Sequence, residues 1–328
     1  MKYPVLNEIN VKKAIEKIES ADLRTTSIEE LEEYLKPLFT GYQVSVPCFK
    51  KSVYVYRGRI CDKPKNIRDI SYPPPEAITR YGRLNNIGES IFYGAIVRNV
   101  PFFELDARVG DTIALSTWKS TDKMILNHVG FTDECKNLFN SNRNLSEIYD
   151  FVKEMANFGN LNNFIHSYLA SKFTQPVKSG EEYKYKLSIA IVHKLSMGNL
   201  INGLLYPTIA MSANADNIAL KTDFFDSNMK FVSVEFVKVI EQKSMQYKID
   251  ILDSATRLDK NGNILWSGRP LRWVLKNRGE EIVMKSEGGH GLHIIKMVIE
   301  LTQSSTANKG GHLTAISLRP SALLHVGK

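Results

Sequence analysis

Residues 81–106 read YGRLNNIGESIFYGAIVRNVPFFELD. Turn formers alternate there with short apolar runs, and that alternation decides the fold class. Gly82 and Arg83 open a polar turn that continues through Asn85, Asn86 and Gly88, residue types that tolerate tight backbone angles. Ile91, Phe92 and Tyr93 follow; a short aromatic run bounded by turn signals reads as a buried strand. Phe102, Phe103 and Glu104 come next. The stretch therefore offers an arginine on a loop, an aromatic hydroxyl on a strand and a carboxylate in an apolar neighbourhood, close enough in sequence to converge on one cleft. Each has an ordinary reading as well. An arginine in a Gly/Asn loop is commonly solvated, Tyr93 beside Phe92 fits a core, and Glu104 fits the wet edge of a helix. Only the set, with its downstream partners, is specific.

Towards the N-terminus, Val11, Ala14, Ile15 and Ile18 recur at helical spacing in residues 10–20. Ser27 with Glu30 forms a capping box ahead of Leu31, Tyr34, Leu35 and Leu38. Glu29, Glu30, Glu32 and Glu33 favour the start of that helix and read as a solvated face. The two helices form a preface packed on the main domain. Residues 42–46 alternate as a strand. Residues 53–56 make a second, ending at Arg57-Gly58-Arg59, where an arginine either projects into a cleft or is a polar strand end. Residues 63–80 read as a long irregular loop stiffened by Pro73, Pro74 and Pro75.

Past the central stretch, residues 112–118 read as a strand and residues 137–174 as a helical hairpin. Asn144 with Glu147 starts its first arm (Ile148, Phe151, Val152, Met155); Gly159 and Asn160 break it before Leu161, Phe164, Ile165, Tyr168 and Leu169. Ser179 with Glu182 gives another capping box, before a helix carrying Leu187, Ile191 and Leu195 that Gly198 stops. Leu204, Leu205 and Tyr206 read as a buried strand ended by Pro207, with a small-residue loop through Asn214, Asp216 and Asn217. Residues 231–240 and 245–252 alternate as strands. Lys260–Asn263 is an Asn-Gly turn, and Ile264–Trp266 returns as a strand. Residues 292–301 read as a helix, and 304–328 as a weakly periodic tail.

At 328 residues the chain exceeds a usual domain of about 100–200 residues. A 43% hydrophobic content supports a substantial core. There is no apolar run of about 18 residues, so no membrane-spanning helix is expected. The opening MKYPVLNEINVKKAIEKIE is charged where a signal peptide is apolar, so a cytoplasmic location is expected. Cys48, Cys61 and Cys135 are odd in number and show no CxxC pattern, which argues for reduced thiols over disulfides or structural zinc. The seven histidines form no HExxH pair, and His193 reads as a satisfied, half-buried histidine. The net charge of +8 is dispersed. It reads as a solvated face, compatible with a pyrophosphate ligand or an acidic protein partner, rather than as a nucleic-acid patch.

Together these pieces resemble the RES domain, a family named for its Arg, Glu and Ser. Tyr56-Arg57-Gly58-Arg59 resembles its Tyr-Arg-Ala-Arg strand end, and Gly82-Arg83-Leu84-Asn85 with Gly88 its Gly-Arg-Trp-Asn loop. Phe92-Tyr93 and Glu104 resemble its aromatic strand and the glutamate of the next helix. Tyr206-Pro207-Thr208 and Asn217-Ile218-Ala219-Leu220 resemble its Tyr-Pro-Ser and Asn-x-Ala-Leu signatures. The likeness runs over residues 53–225. It departs at Leu84, where the family has Trp, and at Thr208, where it has Ser; Ser212 lies four residues on.

The resemblance implies an α+β fold with an ADP-ribosyltransferase-like split antiparallel sheet core and surrounding helices. The segments expected are an N-terminal helical segment (1–41), a RES-type domain (42–230) with its helical insertion near 137–174, a β-strand extension (231–278) and a C-terminal helix and tail (279–328). It implies NAD+ as substrate and cleavage of the nicotinamide–ribose bond by hydrolysis or, with inorganic phosphate, phosphorolysis, in a toxin that depletes cellular NAD+. The implied partner is an antitoxin protein with a helix-turn-helix domain; nucleic acid would be reached only through it, and no membrane is involved. ADP-ribosyl transfer to a protein or nucleic acid, and a non-catalytic binding module, remain alternatives.

Such cleavage builds oxocarbenium character on the ribose while a cationic nicotinamide leaves, so no metal is required. Arg57 and Arg83 suit the pyrophosphate, because a guanidinium fork bonds phosphate oxygens bidentately. Tyr93, and second Tyr56, suit stacking on the cationic ring. Glu104 suits the developing positive charge. The hydroxyl of Thr208 or Ser212 suits orienting Glu104 or binding the carboxamide. The expected catalytic set is Arg57, Glu104 and Thr208; the expected NAD+-binding set is Tyr56, Arg83, Asn85, Tyr93 and Ser212.

Overall fold

The computed structural model describes residues 5–197, 200–243 and 246–268, and the backbone of three further strands, Leu271–Lys276, Ile282–Lys285 and Ile295–Met297. In chain order it forms helices α1 (Glu8–Glu19) and α2 (Ile28–Phe39), strands β1 (Cys48–Phe49), β2 (Tyr54–Ile60) and β3 (Ile91–Ala95), and helix α3 (Val100–Glu104). Strands β4 (Thr112–Ser120) and β5 (Met124–His128) precede α4 (Asp133–Leu138), α5 (Leu145–Ile148), α6 (Asp150–Met155), α7 (Asn160–Thr174) and α8 (Tyr185–Leu195). Next come β6 (Gly203–Pro207), β7 (Asp216–Lys221) and α9 (Thr222–Asn228), then β8 (Met229–Lys243), β9 (Gln246–Ala255), β10 (Leu271–Lys276), β11 (Ile282–Lys285) and β12 (Ile295–Met297). The class is α+β. Among the described residues no helix is long and apolar enough to cross a membrane. The chain divides into two compact units: Met1–Phe49, Tyr72–Tyr93 and Lys123–Asn228 form the first, and Lys50–Ser71, Gly94–Asp122 and Met229–Lys328 the second.

In the first unit the strands run β1-β5-β6-β7. β5 and β6 are parallel, and the other pairs antiparallel, so this sheet is mixed. A Cβ on Gly203 would stand 2.0 Å from Ala219 O, so only glycine allows β6 this close to β7. α2 begins as the sequence predicts: Ser27 Oγ accepts from Glu30 N at 3.1 Å and Glu30 Oε2 from Ser27 N at 2.8 Å. Leu31, Leu35 and Leu38 are wholly buried and share one core with Val11 of α1, Ile165 and Phe173 of α7, Ile189 and Ile191 of α8, and Leu204 of β6. The N-terminal helices are thus an integral layer of this unit, and Leu35→Ala would cost about 2–5 kcal/mol.

Several expectations change here. Residues 42–46 form no strand. Their polar groups are met by side chains instead: Gln43 N donates to Asn162 Oδ1 at 2.7 Å and Asn162 Nδ2 to Gln43 O at 2.9 Å, an amide standing in for a neighbouring strand. His128 Nε2–H donates to Ser45 O at 3.0 Å. The first arm of the hairpin is broken at Tyr149, which is extended (φ −130°, ψ 116°) between α5 and α6. No capping box forms at Ser179; Glu182 Oε1 accepts from Gly180 N at 3.0 Å, and a 3₁₀ turn leads into α8. β5 and β7 were not anticipated, and Asp216 and Asn217 begin a strand rather than extend a loop. The long loop holds 3₁₀ turns at Ile67–Asp69 and Pro75–Ala77.

In the second unit the order is β2-β4-β8-β9-β10-β11-β12, antiparallel throughout. Ala95 at the end of β3 pairs with Tyr56. β2 runs on to Ile60, so Arg57 lies mid-strand opposite Ser116 rather than at a strand end. β9 buries Tyr247, Ile249, Ile251 and Asp253 at period two. β8 buries Phe236 and Val237 in succession, because a bulge shifts the register between them. Residues 264–266 give only an isolated bridge, Leu258↔Ile264; the Trp266 indole donates instead to Pro64 O at 3.0 Å. Within residues 292–301, Ile295–Met297 is a strand paired with β11, not a helix, as a β-branched sequence favours. Gly198, the rest of that segment and the 304–328 tail lie outside the described residues.

Candidate functional site

A cavity of about 320 Å³ opens in the first unit at the Gly82–Asn85 turn, lined among others by Ile78, Arg80, Tyr81, Asn85, Ile91 and Tyr93. Its geometry is set by one hydroxyl. Tyr93 O–H donates to Asn85 Oδ1 at 2.6 Å and accepts from Leu84 N at 3.3 Å. Asn85, 6% exposed, donates through Nδ2 to Asn86 O at 3.0 Å. Gly82 N donates to Asn85 O at 3.0 Å, closing the turn, and Gly88 N to Ile78 O at 2.9 Å, tying the far end of the turn to the cavity wall. A Cβ on Gly82 would lie 2.3 Å from Asn85 Oδ1 and 3.3 Å from the Tyr93 hydroxyl. Glycine is therefore required for this contact.

Asn85 and Tyr93 are thus brought together. Arg83 points elsewhere: its Nη1 donates to Phe173 O and, at 3.2 Å, to Gln175 O, where α7 ends, and its guanidinium lies 5.3 Å from the centre of the Tyr185 ring. Those bonds satisfy carbonyls left open at a helix C-terminus. The arginine lining the cavity is Arg80. Sequence reasoning passed over it, although it directly precedes Tyr81 and Gly82. Tyr81 was passed over too.

Thr208 and Ser212 share a tight loop in the same unit. Thr208 N donates to Ala215 O at 2.9 Å and Thr208 O accepts from Ala213 N at 2.8 Å; Thr208 is wholly buried. Ser212 is exposed and left-handed (φ 52°, ψ 42°). The loop is held by a buried fork that sequence reasoning also missed. Arg143 Nη1 and Nη2 donate to Asp216 Oδ1 and Oδ2 at 2.7 and 2.8 Å, Tyr149 O–H donates to Asp216, and Arg143 Nη1 reaches Ala213 O at 3.3 Å. Burial opposes the charge on Arg143, but Asp216 more than offsets it and holds the guanidinium above its ordinary value.

In the second unit, Tyr56 is half-buried and burial pushes its hydroxyl up. The Arg57 carbonyl accepts from Ser116 Oγ at 3.2 Å. Glu104, expected in an apolar neighbourhood, is exposed at the C-terminal end of α3. Arg98, which sequence reasoning did not single out, pairs with Glu235, and burial lowers its guanidinium to about 10. Gly58 packs against Pro101 and Leu105 of the α3 segment, where a Cβ would meet both at 2.9 Å. Among the described residues no group of three or more His, Cys, Asp or Glu stands together that can hold a metal ion.

The chain matches no protein-family model and no curated protein.

Proposed function

We propose that the chain is a RES-type enzyme with an ADP-ribosyltransferase-like core that cleaves the nicotinamide–ribose bond of NAD+. The observation that carries this reading is the cavity at the Gly82–Asn85 turn, lined by two tyrosines, an arginine and a buried carboxamide held by Tyr93. Its volume of about 320 Å³ lies at the lower end of the range of small-ligand sites, and it stands open to solvent. Tyr81 and Tyr93 offer rings for a cationic heterocycle, Asn85 offers amide chemistry, and Arg80 offers charge to a phosphate. The motifs of residues 53–225 supply the remaining support. By sequence pattern, Arg57 binds pyrophosphate, Glu104 opposes the oxocarbenium charge, and Thr208 supplies the hydroxyl.

In hydrolysis, water attacks the anomeric carbon, the C–N bond electrons leave with nicotinamide, and ADP-ribose and a proton are released. In phosphorolysis, inorganic phosphate attacks instead. The reading extends to a cytoplasmic toxin that depletes NAD+ and is held in check by a partner protein bearing a helix-turn-helix domain. Purified protein incubated with NAD+, with and without phosphate, is expected to release nicotinamide without any macromolecular acceptor. Release only with an acceptor protein or nucleic acid would move the reading to ADP-ribosyl transfer. No release under any condition would overturn it.

A further inference from the structure

α8 holds the cavity turn at two points, and one of them is charged. Ser188 Oγ donates to Arg83 O at 2.8 Å. Further along the helix, His193 stands between two carboxylates on different elements. Its Nδ1 is 2.6 Å from Glu32 Oε1 on α2, and its Nε2 is 3.3 Å from Glu89 Oε2 at the end of the cavity turn. A neutral imidazole has one N–H and can donate to only one of them; bonding both takes the imidazolium. Glu89 passes the contact on. The same Oε2 accepts from Asn86 N at 2.8 Å, and Glu89 N donates to Asn86 O at 3.2 Å. Asn86 O in turn accepts from Asn85 Nδ2, and Asn85 Oδ1 takes the Tyr93 hydroxyl. A continuous chain of hydrogen bonds runs from α2 to two residues that line the cavity.

We propose that His193 is a positioning residue for this cavity: doubly protonated, it clamps the Asn86–Glu89 turn to α2, and loss of one proton releases the turn together with Asn85 and Tyr93. The clamp itself stands on the geometry; its consequence for catalysis rests on the cavity being the NAD+ site.

The charged groups around His193 all bear on its protonation. Glu32 and Glu29 face it from α2 and Glu89 from the turn; Lys194, its neighbour on α8, lies 3.6 Å from Glu32 Oε2 and competes for that carboxylate. The bond to Glu89, opposed by burial and reinforced by Glu32, raises His193 from an ordinary 6.5 to about 9. Burial raises the Glu89 carboxyl, but His193 and the Asn86 N–H more than offset it, so Glu89 stays ionised. A raised folded-state value means that the clamp is fully present below the ordinary histidine value and is lost as pH rises through about 9.

The test is a methyl NMR titration of the intact protein without ligand, from neutral to alkaline pH. The His193 ring and the methyls of Ile78 and Ile91, which line the cavity, are followed together. The expected result is that both methyls shift with the midpoint of the His193 ring, and that this transition is absent from His193→Gln and moved to lower pH in Glu32→Gln. The proposal is overturned if His193 titrates while the methyls stay still, or if His193→Gln shows the same transition. The wild-type titration decides the matter even where a variant folds poorly. A kinetic arm adds the catalytic consequence: KM for NAD+ rises by about tenfold across the transition while kcat changes by less than about twofold, as for lost ground-state binding, and His193→Gln is flat. Absence of nicotinamide release at every pH would sink the catalytic reading and leave the methyl result to judge the clamp.

Discussion

The Tyr93 hydroxyl donates to Asn85 Oδ1 at 2.6 Å across a turn in which a Cβ on Gly82 would stand 2.3 Å from that same oxygen. The contact thus depends on both a hydroxyl and an absent side chain. Tyr93→Phe is expected to cost about 1 kcal/mol of stability, the worth of one hydrogen bond, and to weaken NAD+ binding by about tenfold. Gly82→Ala must push Asn85 aside and is expected to weaken binding further. Urea unfolding and titration calorimetry measure the two effects. Wild-type affinity in both variants would mean that the orientation of Asn85 is not used by the ligand.

What was legible in the sequence was what depends on near neighbours. The Ser27–Glu30 box and the stripe of Leu31, Leu35 and Leu38 need only helical spacing, and both are found as read. The turn at Gly82–Asn85 and the strand after it were legible for the same reason. Residues 42–46 alternate like a strand, but their hydrogen bonds go to Asn162, distant in sequence, and no periodicity reveals a side chain standing in for a strand. A guanidinium fork fits phosphate, which is what the sequence suggests for Arg83; carbonyls at the end of α7 fit it equally, and where that helix ends against the turn is a tertiary fact. His193 reads from sequence as a satisfied histidine, which it is, but its two carboxylate partners come from separate elements. Arg98 and Arg143 carry no sequence signal, because a pair made across strands or loops is visible only once both are in place.

Acid should destabilise the fold in a window set by two buried histidines. His128 donates to Ser45 O, packs with ring centres 4.3 Å from Phe151 and 5.2 Å from His166, and burial holds it well below its ordinary value. Burial likewise lowers His166, which bonds the Tyr42 hydroxyl at 2.7 Å, to about 4. Both are neutral when folded, whereas the unfolded chain protonates them near pH 6.5. The contribution of these two histidines is therefore complete above about 6.5 and falls with decreasing pH towards about 4. Between pH 6.5 and about 5 the carboxylates are still ionised, so a fall there belongs to the histidines. The urea midpoint is expected to drop over that window, and to drop less in a Tyr42→Phe, His166→Phe double variant, which removes one proton site and its partner. A level midpoint in the wild type would show that neither histidine is held neutral.

Glu104 is exposed at the C-terminal end of α3, where a negative charge is unfavourable to the helix. Glu104→Gln is isosteric and should change stability by no more than about 0.5 kcal/mol. If the carboxylate opposes an oxocarbenium charge, nicotinamide release should fall by about 100-fold or more, the scale of one lost electrostatic contact in a transition state. A folded variant with near-wild-type turnover would remove Glu104 from the catalytic set.

Thr208 and Ser212 are the two candidates for one hydroxyl, and the loop treats them differently. Thr208 is wholly buried, bonded through its backbone to Ala215 and Ala213, in a loop braced by the Arg143–Asp216 fork. Ser212 is exposed at the left-handed apex. Catalytic positioning favours the braced residue, because a displacement of about 1 Å can cost about 100-fold in rate. Thr208→Ser keeps the hydroxyl and frees its rotamers, so activity should hold or rise. Thr208→Val keeps the shape and removes only the hydroxyl, so nicotinamide release should fall strongly while the urea midpoint moves little more than one buried hydrogen bond requires, about 1–3 kcal/mol. Ser212→Ala should stay within about twofold of wild type. The reverse pattern, an active Thr208→Val and an inactive Ser212→Ala, would hand the role to the exposed serine and shift the Tyr-Pro-Ser register by four residues.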